Sequence, residues 1–137
     1  MAGTGWRLGT SVLVVVAAGA LASCDDGRDD ESARSVAQQL LVAASQQEGS
    51  QACALLAPGA VQELEDSSGQ PCERAVLDED LGEAGEPLGV QVFDTMAQVR
   101  FETDTVFLSR FDGAWLVVAA ACVRDPGRPY DCGIQVS

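Results

Sequence analysis

Residues 104–122 read DTVFLSRFDGAWLVVAAAC and carry the clearest local signal of the fold. Two apolar segments, residues 105–111 and 114–123, flank the dipeptide Asp112-Gly113. Asp-Gly between apolar segments is the strongest short-range signal for a β-hairpin with a two-residue turn. The second segment is apolar at both its odd and its even positions, which is typical of a strand covered on both faces. We therefore predict an antiparallel hairpin whose second strand lies in the interior of a sheet.

Further strands are predicted on either side of this hairpin. In residues 96–102, three apolar side chains alternate with polar ones, as in a half-buried strand. Residues 88–93 form a preceding strand, and residues 132–136 form a short last one. Strands that follow one another with short connections predict a meandering antiparallel sheet.

The N-terminal half of the chain has a helical period instead. From Ala33 to Ala44, apolar residues recur at i, i+3, i+4, i+7, i+8 and i+11, which predicts an amphipathic helix over residues 31–47. Shorter helices are predicted over residues 51–56, 58–65 and 72–80. Helices first and strands afterwards indicate an α+β fold, in which a long N-terminal helix and short helices pack on a curved antiparallel β-sheet.

An apolar segment precedes Cys24, and an acidic stretch follows it. Residues 8–22 are uncharged and follow Arg7, which is the only basic residue before Cys24. They are too few to cross a bilayer as a helix, which needs about 20 residues. The tetrapeptide LASC, which ends at Cys24, resembles the lipobox of bacterial lipoproteins. In that family the cysteine receives a thioether-linked diacylglycerol and becomes the new N-terminus.

The lipobox resemblance implies three parts of the chain. Residues 1–23 are a lipoprotein signal peptide, residues 24–30 are a lipidated acidic tether, and residues 31–137 are a single α+β domain. The tether has four aspartates and no apolar period, so we expect it to be extended. At about 3.3–3.6 Å per residue, it would hold the domain about 20 Å from the bilayer. The localisation implied is the extracytoplasmic face of the cell membrane.

The four remaining cysteines, Cys53, Cys72, Cys122 and Cys132, indicate disulfides. An even number of cysteines in an exported domain is typical of a disulfide framework. Three pairings exist, and spacing favours Cys53–Cys72 and Cys122–Cys132, because each pair brackets a turn-rich segment. A metal site is not predicted, since the chain has no histidine and no CxxC pair. No cofactor is predicted either.

The charge of the chain bears on its partners. Its formal net charge is −13, from 21 acidic and eight basic side chains. Nucleic acid is not expected as a partner, because its phosphates are recognised by lysine and arginine. Anionic headgroups would also repel this surface, so contact with the membrane is expected through the lipid on Cys24.

The predicted arrangement resembles the NTF2-like (cystatin-like, SnoaL-type) cone fold. Residues 104–122 are similar to the closing hairpin of that superfamily, in which an Asp-Gly turn precedes an inward tryptophan, here Trp115. The segments ACALLAPGAVQELE, QPCERAVLDEDL and GRPYDCGI resemble those of small, uncharacterised actinobacterial lipoproteins. The resemblance implies a disulfide-stapled cone over residues 31–136.

Enzymes of the NTF2-like superfamily commonly place a histidine, aspartate or tyrosine inside the cone as acid or base. This chain has neither histidine nor lysine, so only carboxylates and Tyr130 could serve. Asp104 and Glu102 flank a strand turn and could reach the mouth of a cone, although capping of the turn and contact with solvent explain them equally well. Phe107 and Trp115 are the aromatic residues that could line a pocket, although an aromatic residue on an apolar strand is more often part of the core.

Two hypotheses about function follow. The first is a non-catalytic binding module that holds an apolar ligand, or whose sheet face meets a second copy or another envelope protein. The alternative is a small isomerase or hydrolase of NTF2-like type that depends on a carboxylate. We favour the binding module, because the chain lacks the usual catalytic side chains.

Overall fold

A computed structural model describes Gly3, Gly5 and residues 26–137. The predicted lipid attachment site, Cys24, lies outside these residues, as does the predicted signal peptide apart from the two glycines. In the part of the chain that is described, no helix is both long and apolar enough to cross a membrane. The elements are α1 (Asp26–Ser45), α2 (Gly49–Ala54), α3 (Pro58–Ser68), α4 (Cys72–Asp78), β1 (Gly89–Phe93), β2 (Met96–Arg100), β3 (Thr105–Phe111), β4 (Ala114–Asp125) and β5 (Arg128–Gln135).

The five strands form one antiparallel sheet in the order β1-β2-β3-β4-β5. Strands β1 and β5 are its two edges, so the sheet is open. The α+β class and the meander predicted from the sequence are therefore confirmed. The predicted hairpin turn is also confirmed, since Asp112 and Gly113 both have positive φ, at 48° and 84°.

The turns of the meander lie at two opposite ends of the sheet. Residues 94–95 and 112–113 share what we call the hairpin end, where Arg110 N–H and the Ser109 hydroxyl both donate hydrogen bonds to Thr95 O. Residues 101–104 and 126–127 lie at the other end, which we call the loop end.

One face of α1 packs against the sheet and forms the core. Its contribution is the predicted apolar face, with four fully buried side chains: Ala33, Ala37, Leu40 and Leu41. They share a cluster with buried side chains of the inner strands: Val99, Val106, Leu108 and Val117. The other helices add Ala52, Ala60, Leu64 and Val76 to this cluster.

Helix α1 begins at Asp26, earlier than predicted, so an extended tether is wrong for residues 26–30. Aspartates in a first helical turn are stabilised by the positive end of the helix dipole. Asp29 also forms an ion pair with Arg110 of β3, at 2.5 Å. The sequence pattern could not show this contact, because Arg110 is far away in the chain.

Strand β4 lies in the interior of the sheet as predicted, but its two faces are covered unequally. Trp115 and Val117 are buried on the helix side, whereas Leu116 and Ala119 on the other side are only half-buried. Complete cover on both faces is therefore wrong. The second face of the sheet mixes apolar and polar side chains, as antiparallel sheets with one solvated face do.

Both favoured disulfides are confirmed. Cys53–Cys72 joins α2 to α4 with Cα atoms 6.0 Å apart, and Cys122–Cys132 joins β4 to β5 with Cα atoms 4.0 Å apart. The first bridge connects helices of six and seven residues, which are too short to be stable alone. Strand β5 begins at Arg128, before the predicted residue 132, because residues 126–127 are enough to turn the chain.

Candidate functional site

Asp104 organises the loop end of the sheet. It is the only buried carboxylate among the described residues, with 4% of its surface exposed. Its Oδ1 accepts a hydrogen bond from Cys122 N–H at 2.8 Å. Its Oδ2 accepts from Ala121 N–H and from Gly82 N–H, both at 3.1 Å. Three backbone donors thus satisfy the carboxylate, and the bonds join the loop of Asp104 to β4 and to the segment at Gly82.

One of these segments is a distortion of β4. Ala121 has a φ of 54°, in the left-handed region that residues other than glycine seldom adopt. The amide groups on which Asp104 acts are those of Ala121 and its neighbour Cys122. The buried carboxylate therefore supports a local backbone geometry that would otherwise be costly.

The segment before β1 is held against the same turn. Glu83 N–H donates to Thr103 Oγ1 at 2.9 Å, beside the bond from Gly82 to Asp104. A Cβ added at Gly82 would lie 2.5 Å from Asp104 Cβ, so no larger residue fits there without movement. The segment at Gly82 and Glu83 therefore covers one side of the loop end.

A cavity of about 500 Å³ lies at the loop end. Its wall includes apolar side chains at Leu88 and Val123, which are 68% and 60% exposed. Its polar wall is formed by the loop from Glu102 to Asp104 and by three further side chains: Arg100, Arg124 and Tyr130. The two arginines come from the ends of β2 and β4, so the meander brings together residues that are distant in the chain.

Among the described residues, the arginines of the cavity have no partner of opposite charge. In residues 26–137, Arg34, Arg110 and Arg128 each pair with a carboxylate, whereas neither Arg100 nor Arg124 has one within 4.0 Å. Both side chains are exposed at the cavity. An acidic chain thus presents two free cations at one place.

Tyr130 is held in position by its neighbours. Its ring meets the ring of Phe107 edge-on, with centroids 5.0 Å apart. Gln98 Nε2 donates to Tyr130 Oη at 3.1 Å, which leaves the phenol hydrogen available to an acceptor. The guanidinium carbon of Arg124 lies 5.8 Å from the Tyr130 ring centroid, within cation–π distance. Tyr130 is therefore an ordered hydrogen-bond donor at the cavity wall.

Glu79 lies behind this region, against β5. A Cβ at Gly133 would collide with the Glu79 carboxylate, so a larger residue there would displace the Glu79 side chain. Burial raises the pKa of Glu79 above its ordinary value, and the nearby negative charge of Asp78 raises it further. The carboxylate is destabilised in its charged form, and this makes the stability of the domain depend on pH.

The predicted site residues are distributed unevenly. Asp104, Glu102 and Tyr130 all line the loop-end cavity, as a site at the mouth of the fold would require. Phe107 and Trp115 lie on opposite faces of the sheet. Trp115 pairs with Arg110 across β3 and β4, so these two side chains share a face. Phe107 is three positions before Arg110 in β3, and side chains alternate along a strand, so Phe107 lies on the other face. They do not line one pocket. Trp115 is 5% exposed and stacks under the Arg110 guanidinium at 4.6 Å, as part of the core.

Sequence reasoning missed Arg100 and Arg124. The signal that could have found them is the position of each arginine near the end of a predicted strand, in a chain with few cations. Their proximity depends on which strand ends meet, and it could not be read from spacing.

The hairpin end has a different chemistry from the loop end. Three large apolar side chains are exposed there or next to it: Phe93, Met96 and Phe111, at 63%, 51% and 40%. Phe93 and Met96 face each other across β1 and β2. The ion pair between Asp29 and Arg110 brings the start of α1 to the same end.

In the described part of the chain, no group of acidic, cysteine or histidine side chains is arranged to hold a metal ion. Comparison with known proteins gave no match: no family model, no curated protein and no solved structure is significantly similar to this chain.

Proposed function

We propose that this chain is a lipoprotein of the extracytoplasmic face of the cell membrane, whose domain binds a small ligand without transforming it. The observation that carries the binding function is the loop-end cavity of about 500 Å³. Small-molecule sites are commonly cavities of roughly 300–1,000 Å³ that combine apolar walls with a few convergent polar groups. Leu88 and Val123 supply the apolar wall, and Arg100, Arg124 and Tyr130 supply the polar groups.

Binding is favoured over catalysis by the chemistry at this cavity. The chain has no histidine. Asp104, the buried carboxylate, directs its oxygens to three backbone amides, so a substrate proton would have to compete with those bonds. Its geometry is better suited to holding the loop end together than to acid–base work.

The orientation of the domain on a membrane also supports this proposal. If the lipid is on Cys24, only Asp25 separates it from the start of α1 at Asp26, a reach of about 7 Å. The start of α1 lies at the hairpin end, through the pairing of Asp29 with Arg110. The loop end is at the far end of the strands, so the cavity would open away from the bilayer, where an external ligand can reach it.

An NTF2-like cone is a further part of the proposal. It is supported by the long helix on one face of the sheet, by the inward Trp115, and by the irregular register between β3 and β4. Irregularities of this kind bend a strand and curve a sheet. A second copy or an envelope protein on the outer sheet face stays a prediction.

Intact mass of the membrane-extracted protein tests the anchor. We expect a chain that begins at Cys24, carries diacylglycerol and has no alkylatable thiol before reduction. An unprocessed chain would contradict both the anchor and the localisation.

Native mass spectrometry of the protein, extracted from its own membranes in a neutral detergent, tests the binding function. We expect a bound small molecule, which the Val123→Trp variant loses because the larger side chain fills the cavity. Val136→Trp is the matched control, since Val136 is also exposed but does not line the cavity. A ligand retained equally by both variants, or absent from the unmodified protein, would contradict the proposal.

A further inference from the structure

We propose that the loop-end cavity takes a singly charged oxyanion group attached to an apolar body. In this assignment the guanidinium groups of Arg100 and Arg124 and the hydroxyl of Tyr130 hold the oxyanion. Leu88 and Val123 cover the apolar body. The inference rests on the proposed binding function and gives it a ligand class.

The arginine pair carries the first step of the argument. Two like charges on one cavity wall repel each other unless an anion lies between them. Elsewhere in the described chain, Arg34, Arg110 and Arg128 already have carboxylate partners. Among residues 26–137, Arg100 and Arg124 have none, although the chain contains 21 acidic residues. Arg74 on α4 has none either, but it stands alone and does not line the cavity. A ligand oxyanion would supply the missing partner, and guanidinium groups bind carboxylates and phosphates in a two-pronged geometry.

Tyr130 adds a neutral donor to the two cations. Because its oxygen already accepts a bond from Gln98, its remaining hydrogen-bonding capacity includes the O–H donor. The edge contact with Phe107 restrains the ring, so the hydroxyl is ordered before a ligand arrives. An ordered donor loses less entropy on binding than a mobile one.

The apolar wall indicates what the oxyanion is attached to. Leu88 and Val123 are among the most exposed large apolar side chains of the described residues, at 68% and 60%. Both line this cavity beside the arginines. Covering them with an apolar body would remove them from water, and this favours an amphipathic ligand over inorganic phosphate.

Two carboxylates at the same wall limit the charge of the ligand. Asp104 is satisfied by three backbone donors, whereas Glu102 is exposed and has no hydrogen-bond or ion-pair partner among residues 26–137. Glu102 would repel a second negative charge. A carboxylate or a phosphodiester therefore fits better than a phosphate monoester, which carries nearly two charges at neutral pH.

Ligand-observed ¹⁹F NMR can test the ligand class, with the mature lipidated protein in phosphatidylcholine nanodiscs and empty nanodiscs as the blank. The probes share one body and differ in charge: 4-fluorobenzoate, methyl 4-fluorophenyl phosphate, 4-fluorobenzyl alcohol and 4-fluorobenzylammonium. We expect one or both anions to bind at least about tenfold more tightly than the alcohol and the ammonium probe. The carboxylate and phosphodiester arms distinguish a fatty-acid-like ligand from a lipid-headgroup-like one.

Single substitutions locate the binding. Arg100→Gln and Arg124→Gln should each weaken binding of the preferred anion about tenfold. Arg74→Gln is the matched control, because Arg74 is also exposed and without a carboxylate partner in the described chain, but lies on α4 away from the cavity. Glu102→Gln should tighten binding about two- to fivefold by removing a repulsive charge.

Three results would overturn the inference. One is equal binding of the alcohol and the anions. Another is a loss of anion affinity in Arg74→Gln equal to that in Arg100→Gln and Arg124→Gln. The third is weaker anion binding in Glu102→Gln. If the alcohol binds as well as the anions and Val123→Trp abolishes its binding, the cavity is a binding site of another class and the proposed function stands. If no probe binds and the protein extracted from its membranes carries no ligand, the proposed function fails as well.

Discussion

Asp104 shows how one residue can look catalytic in a sequence and serve the backbone in the structure. A carboxylate beside a strand turn fits an acid or base at the mouth of a cone. The structure gives its two oxygens three amide donors from Gly82, Ala121 and Cys122. Carboxylates that accept several backbone bonds stabilise the local fold, and this role accounts for the burial of Asp104.

Asp104→Asn should therefore destabilise the domain by about 2 kcal/mol, because the amide cannot accept all three bonds and one buried donor is left unsatisfied. Denaturant unfolding measures the change. Asp112→Asn is the matched control, since Asp112 is exposed in the hairpin turn and asparagine tolerates its positive φ. Equal stability of Asp104→Asn and the unmodified protein would show that the three bonds contribute little.

Glu79 gives the domain a pH dependence of a defined sign. Burial and then Asp78 raise its pKa in the folded state, so between the ordinary and the raised pKa the folded state binds more protons than the unfolded one. The contribution of Glu79 to stability therefore falls as pH rises through this window. Glu79→Gln should remove that part of the change of stability with pH, and it should raise the thermal midpoint at neutral pH.

Thermal melts of Glu79→Gln and Glu86→Gln across the acidic range to neutral pH separate this effect from general charge repulsion. Glu86 is exposed, so its substitution removes one charge without relieving burial. Parallel pH profiles for the two variants would contradict the assignment to Glu79.

At the scale of elements, local sequence patterns predicted an element well where its turn or its apolar face lies within the element itself. The hairpin of β3 and β4 has a turn that selects its own backbone conformation, and α1 has a continuous apolar face. The bounds of these elements were close to those observed. The start of α1 was wrong because its first residues are charged and have no apolar period, so the pattern gave no sign of the helix or of the ion pair between Asp29 and Arg110. The cover of β4 was wrong because apolar composition does not say how many layers surround a strand.

The two disulfides should differ in what they contribute. Removal of Cys53–Cys72, as Cys53→Ala with Cys72→Ala, should cost about 3 kcal/mol, because it frees two short helices and a loop with a sequence separation of 19. Removal of Cys122–Cys132 should cost less, because β4 and β5 remain paired through their backbone hydrogen bonds. Urea unfolding of the two double variants compares them. A larger loss for the β4–β5 pair would reverse this ranking.

At the scale of the whole molecule, the two ends of the sheet have opposite characters. The hairpin end carries exposed Phe93, Met96 and Phe111 and lies close to the start of α1. The loop end carries the cavity with Arg100 and Arg124. With a lipid on Cys24, the first end would face the bilayer and the second would face away from it.

If Cys24 carries the proposed lipid, hydrogen exchange of the protein on neutral vesicles should show this orientation. We expect slower exchange in the turns at residues 94–95 and 112–113 than in a Cys24→Ala chain exported without lipid, because the membrane shields the hairpin end. Exchange in residues 101–104 should be the same in both. Protection confined to the loop end would contradict the orientation and would place the cavity against the membrane.

Local sequence patterns were enough to predict the α+β class, the order of helices and strands, the Asp112-Gly113 turn and the favoured disulfides. These features depend on local periodicity, turn chemistry and short cysteine spacing, which act between neighbours in the chain. It took packing between distant parts of the chain to show that Asp104 accepts from three amides of two segments, that Phe107 and Trp115 lie on opposite faces, and that Arg100 and Arg124 share one cavity. Those facts depend on which strand ends meet and which face the helices cover, and both are set by packing between residues distant in the chain.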